Sequence, residues 1–166
     1  GTKSGEGSWQ VLSPHRGNAN IELEDETEVK AAWDFNLMYA RRYQDLTDDS
    51  VFAELEEQLD VDNFLMYCAI EIYLSNPDWP DNNCKAYRWY ASGKNYNGPY
   101  LDGRWRFLLY DLDVGMERTG SSSAGNPTLG EVLGEEESHW DRQEPLLRAI
   151  LQREDMKERF KEIMEN

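Results

Sequence analysis

The chain has 166 residues, enough for one domain with a real apolar core. With 17 Lys and Arg against 33 Asp and Glu, its formal charge of −16 repels nucleic-acid phosphate and anionic lipid, and suits divalent cations or simple solubility. Six Trp and nine Tyr exclude a disordered chain, and no run approaches the roughly 18 apolar residues of a membrane span.

The chain opens G-T-K-S-G-E-G-S without Met, so the lack of a signal segment says nothing about the native start. Residues 1 to about 20 are rich in Gly, Ser, Asn and Pro and read as a loose lead-in; residues 1–24 are set apart on this basis from a domain over 25–166. Over 25–43, apolar residues recur near helical spacing at Val29, Trp33, Leu37 and Tyr39 or Ala40. Thr47, Asp48, Asp49 and Ser50 supply turn and N-cap chemistry for a short helix over 51–58. Asp60 or Asp62 caps the next helix, 61–75, which is apolar almost throughout and predicts burial on most sides; only Glu71 interrupts it. Two cysteines are too few for a disulfide framework. Cys68 reads as a small core residue, and a bridge between it and Cys84 stays open.

Pro77 must end that helix, because its ring disfavours helical φ/ψ at Asn76. The stretch N-P-D-W-P-D-N-N fills 76–83, with Pro80 keeping the turn extended. Residues 85–91 read as an aromatic-rich strand, and 92–103, with four Gly and Pro residues, as a hairpin loop. The return strand, 104–110, carries Trp105, Phe107 and Leu109 on one face and Arg104, Arg106 and Leu108 on the other. It runs into Asp111-Leu112-Asp113-Val114-Gly115. Residues 119–126 show no periodicity and are expected to be mobile or ordered by a partner. Helices over 144–152 and 155–164 close the chain. The fold class is α+β, mostly α, with a small antiparallel β-hairpin.

Spacing alone suggests where chemistry sits. Asp78 and Asn83 lie five residues apart in a Pro-braced loop after a buried helix, and the hairpin returns Asp111 and Asp113 towards them. The set Asp78, Asn83, Asp111 and Asp113 offers hard oxygens only, the ligand type of Mg²⁺ or Ca²⁺. His15 and His139 lack metal spacing, and no nucleophile elbow, Walker loop or dinucleotide fingerprint occurs. Simpler roles stand beside these. Asp78 and Asp81 could be turn residues, Asn82 could bond loop backbone, and Asp111 and Asp113 could pair with Arg88, Arg104 or Arg106 across the ribbon. Trp79, Trp89 and Trp105 read as packing groups.

The wording of two stretches adds to this. N-P-D-W-P-D-N-N-C-K-A-Y-R-W, then D-G-R-W-R-F-L-L-Y-D-L-D-V-G-M, resembles the spore-coat-protein-H (CotH) kinase family, as does L-D-V-D-N-F-L-M-Y-C-A-I-E-I-Y-L before them. The resemblance implies a kinase-like C-terminal lobe that transfers phosphate from ATP, with Mg²⁺, to Ser/Thr of secreted, cell-surface or spore-coat proteins. It makes Asp78 the catalytic-loop aspartate, Asn83 the amide metal ligand, and Asp111 the principal Mg²⁺ ligand with Asp113 in support; the D-x-G form would exchange the last two. No strand-rich half with a phosphate-gripping lysine precedes Asp25, and neither Lys3 nor Lys30 sits in a recognisable strand. The chain is therefore expected to be the large lobe of a longer protein, with its N-terminal lobe as partner and little activity alone. The rival expectations are a non-catalytic, kinase-derived binding module holding Ca²⁺ or nothing, and a metal-dependent hydrolase.

Overall fold

Aspartates begin the helices where the sequence supplies turn chemistry. In the computed structural model, which describes residues 7–21, 25–91, 98–112, 128–135 and 143–165, Asp25 accepts from the backbone N–H of Thr27 and Glu28 and starts α1 (Glu26–Tyr39). Asp48 does the same for α2 (Asp49–Glu56) through Ser50 and Val51. Of the two candidate caps for α3 (Val61–Leu74), Asp60 is the one that works, accepting from Asn63 N–H at 3.1 Å. Such caps satisfy donors that the first helical turn leaves open. A 3₁₀ turn (Ala40–Tyr43) follows α1, and α4 (Thr128–Leu133), α5 (Pro145–Ile150) and α6 (Glu154–Glu165) complete the helices. Among the described residues no helix is long and apolar enough to cross a membrane.

Three antiparallel strands form one sheet in the order β1 (Ser8–Leu12), β2 (Lys85–Tyr90), β3 (Arg106–Leu108). The expected ribbon is present, with Lys85 opposite Leu108 and Tyr87 opposite Arg106. The loose lead-in expected at the start instead contains β1, paired with β2 from Ser8 opposite Tyr90 to Leu12 opposite Ala86. Its inward side mixes Leu12 with a polar residue. Trp9 and Val11 face outward, whereas Gln10 is buried and accepts from Arg88 Nε at 2.7 Å.

The core lies between α1, α3 and the inner face of the sheet. Phe35 meets Trp105 edge-on at 5.3 Å, and Phe107 packs on Phe64 and Tyr67 at 5.1 and 5.2 Å. The α1 face differs from expectation: Trp33 and Leu37 are exposed, and Ala31, Ala32, Phe35, Met38 and Tyr39 are buried. α3 is buried on most sides as expected, Met66 and Tyr73 excepted. β3 is shorter than the predicted strand, and Arg106 on its outer face is not solvated. It is 2% exposed, donating to Asp60 at 2.9 Å and to Asp102 at 2.7 Å. That pair of carboxylates joins β3 to the start of α3. Cys68 and Cys84 are both buried and free.

Candidate functional site

The loop that follows α3 is held at its foot by the way the helix stops. Ser75 takes the left-handed conformation (φ 50°), and the Asn76 N–H reaches back to Glu71 O at 3.2 Å, the closure usually made with glycine. Ser75 Oγ also bonds Thr128 Oγ1 of α4 at 2.9 Å. Beyond Pro77 the loop alternates buried and open positions. Asn76, Trp79, Pro80 and Cys84 point inward, whereas Asp78 and Asn82 are exposed and Asn83 is half-buried. Trp79 is the anchor: its ring, 0% exposed, meets Tyr67 edge-on at 6.0 Å. The Trp79–Pro80 peptide is cis. Cys84 Sγ lies 3.4 Å from Pro80 O and accepts from the Tyr67 hydroxyl at 3.5 Å, which ties the loop's far end to α3.

A second clamp comes from the turn after β1. The Arg16 N–H donates to Asp81 O at 3.2 Å, and the Arg16 guanidinium forms an ion pair with the Asp81 carboxylate. His15 Nδ1 is 3.1 Å from Asn82 Oδ1. Asp81 and Asn82 thus brace the loop through side chains of the turn after β1, Asn82 through His15 and not through loop backbone. His15, which has no metal spacing in the sequence, is part of the brace.

Asp78 differs from its neighbours. Its N–H donates to Asn76 Oδ1 at 3.2 Å and its carbonyl accepts from Asn82 N–H at 2.7 Å, so its backbone is fixed on both sides. Its carboxylate remains exposed and accepts from Asn83 Nδ2 at 3.4 Å. Because Nδ2 faces Asp78, Oδ1 is the atom that Asn83 has left for a cation. Asn83 is left-handed (φ 57°), a conformation Asn tolerates better than most residues.

Asp111 stands three residues past Leu108, the last partner of Lys85, and is exposed with a left-handed backbone (φ 55°). Lys85 Nζ sits 4.7 Å above the Tyr110 ring, so the chain leaving β3 still follows the start of β2. Arg88 donates to Asp34 at 2.7 Å, Arg104 to Asp102 at 2.8 Å, and Arg106 to Asp60 and Asp102. Asp113 and the D-x-G sequence lie outside the described residues, as do 119–126 and His139. Among the described residues no three His, Cys, Asp or Glu side chains gather as a metal site. The donor set at hand is an amide oxygen and carboxylates, which fits a hard cation and not zinc.

Two buried carboxyls flank this region. Burial raises Glu71 from its ordinary 4.5 to about 7, against the opposing hydrogen bond from Asn76. Burial likewise raises Glu144 to about 7, although the Tyr39 hydroxyl donates to it at 2.6 Å. The Asp–Asn offset is a local pattern and readable in sequence. Arg16, His15 and Glu71 carry no local site pattern in the sequence, and Asn76, as the Asn before Pro in N-P-D, carries only a turn signal.

A buried helix, a loop with an exposed Asp braced by Asn, and an antiparallel ribbon running into Asp follow one another along the chain. Residues 12–166 match the family model described as CotH kinase protein, and the chain belongs to that family. No curated protein and no solved structure matches it significantly.

Proposed function

We propose that this chain is the catalytic lobe of an atypical protein kinase that moves phosphate from ATP to Ser/Thr hydroxyls of protein substrates at the cell surface, in the spore coat or outside the cell. The observation that carries the reading is Asp78, whose backbone is fixed on both sides while its carboxylate is exposed and braced by Asn83. Membership of the kinase family supports it.

In this reading Asp78 accepts or orients the substrate hydroxyl proton, and Asn83 Oδ1, Asp111 and Asp113 would hold Mg²⁺. ATP, when bound with that ion, would supply the phosphoryl group and leave as ADP, with the ion neutralising charge on the phosphate oxygens. The chain's own contribution is position: Trp79 anchors the loop in the core, and Arg16 and His15 hold its outer side. A strand-rich lobe that grips the nucleotide belongs to the proposal as well.

Phosphate incorporation from labelled ATP into a protein acceptor, measured on the full-length protein, tests this. Asp78→Ala, and Asp111→Asn, which keeps a residue tolerant of the left-handed backbone at φ 55°, should abolish incorporation while melting normally. Incorporation at the wild-type rate by either variant refutes the assignment. A thermal shift with Ca²⁺ and none with Mg²⁺-ATP favours the non-catalytic module instead.

A further inference from the structure

Glu71 is 0% exposed in the last turns of α3, and a carboxyl buried there is costly without a role. Its Oε2 accepts from Asn76 Nδ2 at 2.9 Å, and its Oε1 has no hydrogen-bond partner among the described residues. Asn76 is equally buried, and its Oδ1 accepts from the Asp78 N–H at 3.2 Å. The two ends of a planar amide are not independent. Once Nδ2 is directed at Glu71, Oδ1 must lie on the opposite side, where the residue-78 N–H finds it. With no acceptor at position 71 the amide loses the Nδ2 bond that works with the Asp78 N–H to fix its orientation, and a flipped amide would set its NH₂ against the Asp78 N–H.

We infer that Glu71 is a positioning residue for Asp78, acting through the Asn76 side chain. The inference rests on the catalytic reading of Asp78. Helix closure does not require the carboxyl, since Asn76 N–H bonds the backbone carbonyl of Glu71 and Ser75 is tied separately to Thr128. Replacing Glu71 alone takes an acceptor from the buried Asn76 Nδ2 and so lowers stability as well, which is why exchange at residue 78 and kcat, and not stability, carry the test. What needs Glu71 is the orientation of one amide directly beneath the loop.

The test compares Glu71→Met, Glu71→Gln and Asn76→Ala in the full chain, by hydrogen exchange at the residue-78 amide and by phosphate incorporation. Glu71→Met should speed that exchange about tenfold. It should lower kcat on the order of 100-fold at unchanged KM for the protein acceptor, with a lowered melting temperature that Glu71→Gln does not share. Glu71→Gln retains an acceptor oxygen and should restore both exchange and kcat to within about twofold of wild type. Asn76→Ala should match Glu71→Met, and it carries the comparison if the Met variant does not fold. Unchanged exchange at residue 78 in Glu71→Met, or equal losses in the Gln and Met variants, overturns the inference. If the wild-type protein incorporates no phosphate, the catalytic reading of Asp78 fails, and the exchange measurement alone decides whether Glu71 orients the loop.

Discussion

Asn83 donates its side-chain amide to the Asp78 carboxylate across 3.4 Å, and does so from a left-handed backbone. One residue thus carries two separable tasks: bracing an exposed carboxylate and turning the chain into β2. Ala at position 83 loses the amide and is strained at φ 57°, whereas Gly loses only the amide. We therefore expect Asn83→Ala to be less stable than Asn83→Gly by about 1 kcal/mol, a difference of roughly 2–4 °C in melting temperature. Both variants should lose any stabilisation by Mg²⁺. Equal melting with the Mg²⁺ response intact would separate Asn83 from the cation.

Arg106 is the buried cation between Asp60, which caps α3, and Asp102, in the turn before β3, and the more exposed Arg104 reaches the same two carboxylates. The Arg106 guanidinium and two further bonds from residue 104 hold the Asp102 carboxyl well below the usual carboxylate range, against the opposing effect of burial. Removing one partner of a buried pair leaves charge uncompensated. Arg106→Met should cost about 3 kcal/mol in urea unfolding, and Arg106→Lys should recover only part of this because an ammonium lacks the planar fork that spans two carboxylates. Full recovery by Lys would show that charge alone matters.

Glu71 and Glu144 set the sign of the pH dependence above the acid range. Both have folded-state values raised by burial from 4.5 to about 7. Between those values the folded state binds more protons than the unfolded chain, so their contribution is fully present below pH 4.5 and is lost as pH rises through 7. Asp102 acts oppositely: its contribution is present above the ordinary 3.8 and is lost as pH falls further. The wild-type protein should melt higher at pH 5 than at pH 8, by an amount worth a few kcal/mol. The Glu71→Gln/Glu144→Gln variant should show a flatter dependence. An unchanged slope in the double variant would assign the effect to net charge.

Much of the helical frame was legible because its signals are local. Asp48 and Asp60 cap within three residues of themselves, and Pro77 stops α3 where the sequence says it must. β1 was hidden because its inward side mixes Leu12 with a polar residue. Gln10 turns inward to satisfy Arg88 while Trp9 and Val11 face out, and the surrounding Gly, Ser and Pro read as loop. The α1 face was misread for a related reason: Trp33 and Leu37 keep helical spacing but sit on the exposed side. α4 has six residues, too short for a periodic signal. In the site, the five-residue Asp–Asn offset was visible as it stands. The bond from Arg16 to Asp81 spans 65 residues, and no periodic pattern announces a contact at that distance.

The account depends most on Asn83 and Asp111 sharing one cation. Titrating the protein with Mn²⁺ in place of Mg²⁺ and following the Asn83 side-chain amide and the Asp111 backbone amide by NMR tests this directly. The account predicts that both signals broaden together at low Mn²⁺, and that Asp111→Asn weakens the effect at Asn83. Broadening confined to acidic surface such as α6, with residues 83 and 111 left sharp, would contradict it.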